Sequence, residues 1–138
     1  MNARQKRKIV SKLKGLRDAR LGLAEIQVSK ARQACDEAER VLAEEEQRLQ
    51  DTIDASHEQY RLLDEKLKAR TSMLREKIYE WRGERQKVAD GIEAARERVQ
   101  QAHKAIARAQ AALEDARRTQ RTATVNVERT TMLSERMR

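Results

Sequence analysis

Large and small apolar residues alternate at heptad spacing in two stretches of this chain. The first runs Leu21, Ala24, Val28, Ala31, Cys35, Ala38, Leu42 and the second Ile92, Ala95, Val99, Ala102, Ile106, Ala109, Leu113, Ala116. Steps of three and four place each set on one stripe of an α-helix, and a small residue in alternate layers lets two helices approach closely. The second stripe extends without interruption from Ile78, Trp81, Arg85 and Val88 through Gln120 and Ala123 to Val127. The first continues, after a slip near Glu46, through Leu49, Ile53, Ser56, Tyr60, Leu63 and Leu67. Slips of this kind unwind a coiled coil locally without ending it. Before Val28 the pattern blurs: Ile9, Leu13, Leu16 and Leu23 suggest a looser stretch, weakened by Gly15 and Gly22.

The pattern predicts an all-α fold in which two long helices form an antiparallel coiled-coil hairpin, a single unit over residues 1–138. The Ala-rich blocks centre near residues 31 and 105, so setting them side by side puts the turn near residue 68. Residue numbers of facing positions then add to about 136, which sets Tyr60 opposite Ile78 and Tyr79. Helix 1 is expected over about 4–66, the turn over 67–72 with Ser72 as N-cap of the next helix, and helix 2 over about 73–134. A competing turn lies at Asp51 to Ser56, where Ser56 and Gln59 have capping-box spacing. The later turn is preferred because it matches the two Ala blocks.

Composition agrees with this reading. Charged residues make up 39% of the chain and aromatics 2%, with no Phe and no Pro, so the apolar residues suffice for a seam and not for a thick core. The sustained heptad argues against the disorder that such charge could otherwise signify. No apolar run is long enough to span a bilayer, and the N-terminal stretch has no apolar signal core. Cys35, the one cysteine, fits a reducing cytoplasm and reads as a small seam residue.

Charge also chooses the topology. Residues 36–58 carry nine acids and two arginines, a block that a parallel dimer would set against its own copy. The hairpin instead faces it with residues 78–100, where five acids are balanced by five bases. At the ends, residues 1–20 carry a net charge of +7 and residues 117–138 one of +4, against +8 for the whole chain. The hairpin therefore joins two basic termini.

No catalytic constellation is present in the sequence. His57 and His103 are far apart and lack metal-ligand spacing, and no phosphate loop, nucleophile elbow or cysteine pair occurs. A non-enzymatic protein without cofactor or metal is expected. The candidate sites are partner surfaces. One is the basic end, with Arg4, Lys6, Arg7, Lys8, Lys12, Lys14, Arg117, Arg118 and Arg121; the other is the turn end, where Tyr60, Tyr79 and Trp81 hold all the aromatics. Such a basic end steers toward acidic partners. Nucleic acid is a less fitting one, because no aromatic is interleaved to stack on a base, and a generic structural dimer is a further alternative.

A basic start from Arg4 to Arg20, a Met- and Arg-containing end from Met132 to Arg138, and the run Cys35-Asp36-Glu37-Ala38-Glu39-Arg40-Val41-Leu42 complete the picture. In these features and in its hairpin pattern the chain resembles the stalk proteins of type III secretion systems, the YscO/SctO family, and their flagellar relative FliJ. The resemblance implies a cytoplasmic stalk, peripheral to the inner-membrane secretion apparatus, whose joined termini bind a hexameric secretion ATPase. It further implies contact with the cytoplasmic part of the export gate, and some members of the family bind secretion chaperones. The basic end would then meet the ATPase, and the region from Tyr60 to Trp81 the gate or a chaperone.

Overall fold

A chain without proline and with few glycines has little to interrupt a helix, and the described residues of the computed structural model form two. It describes residues 2–69 and 75–137. Helix α1 spans Ala3–Lys68 and helix α2 spans Arg75–Arg136. The two pack against each other in antiparallel fashion, an all-α helical hairpin. The first helix runs two residues past its expected end. Ser72, the expected N-cap of the second, lies outside the described residues together with Arg70 and Thr71 of the expected turn.

The start of α1 is held by a reciprocal capping box. Asn2 Oδ1 accepts the Gln5 backbone N–H at 2.9 Å, and Gln5 Oε1 accepts the Asn2 N–H at 3.0 Å. At the other end Lys66 and Lys68 stand in the last turn, where the helix dipole favours cations. Gly15 and Gly22 do not loosen the N-terminal stretch as expected. The helix continues through both, and no glycine has positive φ.

The heptad stripes are the surfaces along which the helices meet. Every position of the two stripes, from Leu21 to Leu67 and from Ile78 to Val127, is buried or half-buried. The register differs from expectation. Arg17 meets Asn126 and Thr130, Glu45 meets Arg98, Glu46 meets His103, and Tyr60 and Asp64 both meet Arg85. The numbers of these partners add to between 143 and 149, 7 to 13 above the Ala-on-Ala sum of about 136 and one heptad above it at the Arg17–Asn126 and Glu45–Arg98 pairs, so Tyr60 faces Arg85 rather than Ile78 and Tyr79. A seven-residue slip preserves every apolar layer, so the repeat alone cannot distinguish the two registers. The polar and charged pairs across the seam, which do not repeat every seven residues, distinguish them.

The packing resolves into two compact units, one formed by residues 1–37 and 106–138 and the other by residues 38–105. In the first, which holds both ends of the chain, Val10, Ala24, Val28 and Thr130 are buried. In the second, Ser56, Ala95 and Ala102 are buried. Ser56 turns its hydroxyl onto the Thr52 carbonyl of its own helix at 2.6 Å, so its burial leaves no unpaired donor. Glu45 enters the seam between Leu42 and Leu49, at the place where the apolar register slips. There it accepts from Arg48 at 3.1 Å and faces Arg98 across the seam at 3.5 Å.

Candidate partner-binding surfaces

The unit that holds the chain ends carries most of the basic residues singled out in the sequence. Arg4, Lys6, Arg7, Lys8, Lys12 and Lys14 are all exposed on the first four turns of α1. Among the described residues none of the six is engaged in an ion pair. Arg7 and Lys14 border a shallow groove with Ser134 and Met137 of α2.

Arg117, Arg118 and Arg121 are exposed as well, but the register sets them deeper. Arg118 borders a groove with Leu23 and Gln27 and lies sixteen residues before Ser134, or roughly 24 Å of helix at 1.5 Å per residue. Glu114 also pairs with Arg118 at 3.5 Å and with Arg121 at 3.3 Å. The cations predicted as one surface thus form two, a free cluster at the chain ends and a partly neutralised one further along.

Between the two lies a residue that sequence reasoning did not single out. Arg17 occupies a seam position, and its Nη1 donates to the Asn126 carbonyl at 3.1 Å and to Thr130 Oγ1 at 2.6 Å. Thr130, fully buried, donates in turn to the Asn126 carbonyl at 2.9 Å. This knot fixes the alignment of the two helices near the chain ends. The available signal was a basic residue falling at seam spacing from Leu13 and Leu21.

A second feature of this unit was also missed. Ile9, Leu16 and Leu23, expected to form a loose packing stretch, are 51%, 49% and 61% exposed, and Ile26 is 53% exposed. Val10, Leu13 and Arg17 take the seam instead, with Leu21 and Ala24 next along it.

In the other unit the three aromatics divide by role. The Arg85 guanidinium sits over the Tyr60 ring at 4.3 Å and the Trp81 ring at 5.5 Å, and reaches Asp64 at 3.3 Å. Tyr60 and Trp81 are half-buried at seam positions, whereas Tyr79 is 60% exposed and Leu62 46%. The Trp81 Nε1 is buried without a hydrogen-bond partner. Nearby, Arg61 bridges Glu58 and Glu65 along the surface of α1. Its hydrogen bond holds the Glu58 carboxyl below the usual glutamate range, and Glu58 pushes the Arg61 guanidinium up.

No family model matches this chain, and neither a curated protein nor a solved structure is found to be similar to it. Among the described residues no helix is long and apolar enough to cross a membrane.

Proposed function

We propose that this protein is a non-enzymatic stalk of a bacterial type III secretion apparatus. In this reading it acts at the cytoplasmic side of the inner membrane and binds the hexameric secretion ATPase through the unit that holds its two ends. The observation that carries the reading is the exposed, unpaired cation cluster from Arg4 to Lys14, held against the C-terminal part of α2 by a helical hairpin. Tyr79 and Leu62 supply exposed apolar area for the second contact, with the export gate or a secretion chaperone.

The experiment is charge reversal. Changing Arg4, Lys6, Arg7 and Lys8 to Glu abolishes ATPase binding while helicity is retained; binding that persists overturns the proposal. Reversal of Arg117, Arg118 and Arg121 has a smaller effect, because Glu114 already neutralises part of that cluster. A nucleic-acid role is separated by a gel shift at two salt concentrations, where counterion release makes affinity fall steeply.

A further inference from the structure

The exposed apolar residues of α1 follow a rule of their own. Ile9, Leu16 and Leu23 recur at intervals of seven, and Ile26 stands one turn beyond Leu23. Residues seven apart share a helix face, so α1 carries two apolar stripes here: one turned to α2 through Val10, Ala24 and Val28, and one left open. Leu23 also lines a groove of about 460 Å³ between the helices, with Ala24 and Gln27 on one side and Thr122, Ala123 and Asn126 on the other. An open stripe beside an interhelical groove is the surface that a third helix occupies in a coiled coil.

Charge specifies what that helix must be. Lys8, Lys12, Arg20 and Lys30 flank the open stripe, and Arg20 lines the groove beside Leu23. The two acids of this stretch, Asp18 and Glu25, each stand two residues beyond a stripe leucine, which turns them to the opposite side of α1. The face therefore presents only cations around its apolar residues. A second copy does not match it. The same face would bring like charges together, and the acidic block at 36–58 has no exposed large apolar side chain among its described residues. A bilayer is a poorer match too, since one large side chain every two turns makes a narrow stripe and an interfacial helix buries a broad face.

We propose that the open face of α1 between Lys8 and Lys30 docks an acidic amphipathic helix of another protein, with apolar residues at heptad spacing, as a third helix of this unit. The inference stands on the stripe and the groove, and the docking face shares only Lys8 and Lys12 with the cation cluster assigned to the ATPase.

The probe is a labelled four-heptad peptide with Leu at the two seam positions and Glu at the flanking ones, followed by fluorescence anisotropy. A second peptide of equal charge has Ser in place of Leu. The Leu peptide binds one to one, the Ser peptide does not, and the double variant Leu16→Gln/Leu23→Gln weakens binding at least tenfold. Circular dichroism of the variant is unchanged, because both residues are exposed. Equal binding of the variant and the parent overturns the proposal. So does a dimer in sedimentation that the variant dissolves, or stripe-dependent binding to phosphatidylglycerol vesicles without binding to the peptide. The same variant keeps its ATPase binding, and a reversal limited to Arg4, Lys6 and Arg7, which leaves the cations flanking the stripe in place, keeps peptide binding, so failure of one proposal is distinguishable from failure of the other.

Discussion

Single polar residues inside the seam decide how the two helices align. Thr130 has no exposed surface, and its hydroxyl both receives the Arg17 guanidinium and donates to the Asn126 carbonyl. Thr130→Val keeps the shape and removes the acceptor, leaving Arg17 with the Asn126 carbonyl alone. A net loss of about 1 kcal/mol is expected, read as a lower midpoint in urea. Glu45 makes the opposite case. One of its carboxylate oxygens is buried without a hydrogen bond, facing Arg98 at 3.5 Å, and both of its arginine partners are exposed. Glu45→Leu joins Leu42 and Leu49 in the seam and strands no buried charge, so it raises stability by about 1 kcal/mol in the same titration. A lower midpoint for that variant would mean that the pair with Arg98 outweighs its desolvation. Neither residue was legible in the sequence as a seam member. A hydroxyl or carboxylate at a heptad position looks like an interruption of the apolar pattern until its partner on the other helix is known.

Helix α1 shows how far local propensity yields to packing at the level of an element. Gly15 and Gly22 weaken any helix, and the sequence alone predicts a loosened stretch around them. Yet the helix is continuous, and a Cβ built at either position meets nothing within 4 Å. Those two glycines therefore cost stability without serving a close approach. Gly15→Ala and Gly22→Ala should each add about 1 kcal/mol, and together raise the thermal midpoint measured by circular dichroism. The seam near Gly15 differs from the sequence expectation for a related reason. Ile9, Leu13, Leu16 and Leu23 and the set Val10, Leu13, Arg17, Leu21 and Ala24 are two interleaved heptads on one helix. Sequence periodicity reports both stripes and does not say which one the partner helix covers. Ala24, at 3% exposure, and Leu23, at 61%, give the answer only once α2 is in place.

For the molecule as a whole, the helical hairpin was readable from the doubled alternation and from the absence of proline, because both depend on spacing along one strand. The alignment of the two strands was not. A heptad repeat is unchanged by a shift of seven, so the Ala-rich blocks fixed the register only to within one repeat. That repeat matters for the candidate surfaces, since it sets Arg118 alongside Gln27 instead of alongside residues closer to the chain end. The register is open to a direct test within the unit of residues 38–105. Ala102 lies near Leu42 by the pairings of Glu45 with Arg98 and Glu46 with His103, whereas the Ala-on-Ala alignment would set Ala95 there. The two alternatives differ by roughly 10 Å along the helix, beyond the reach of a disulfide, which needs Cα atoms within about 7 Å. In a Cys35→Ala background, Leu42→Cys/Ala102→Cys should close a disulfide under mild oxidation and Leu42→Cys/Ala95→Cys should not, as read by faster migration on non-reducing gels. Closure of the second pair in place of the first would restore the Ala-on-Ala register, and with it the single basic surface that the sequence alone suggests.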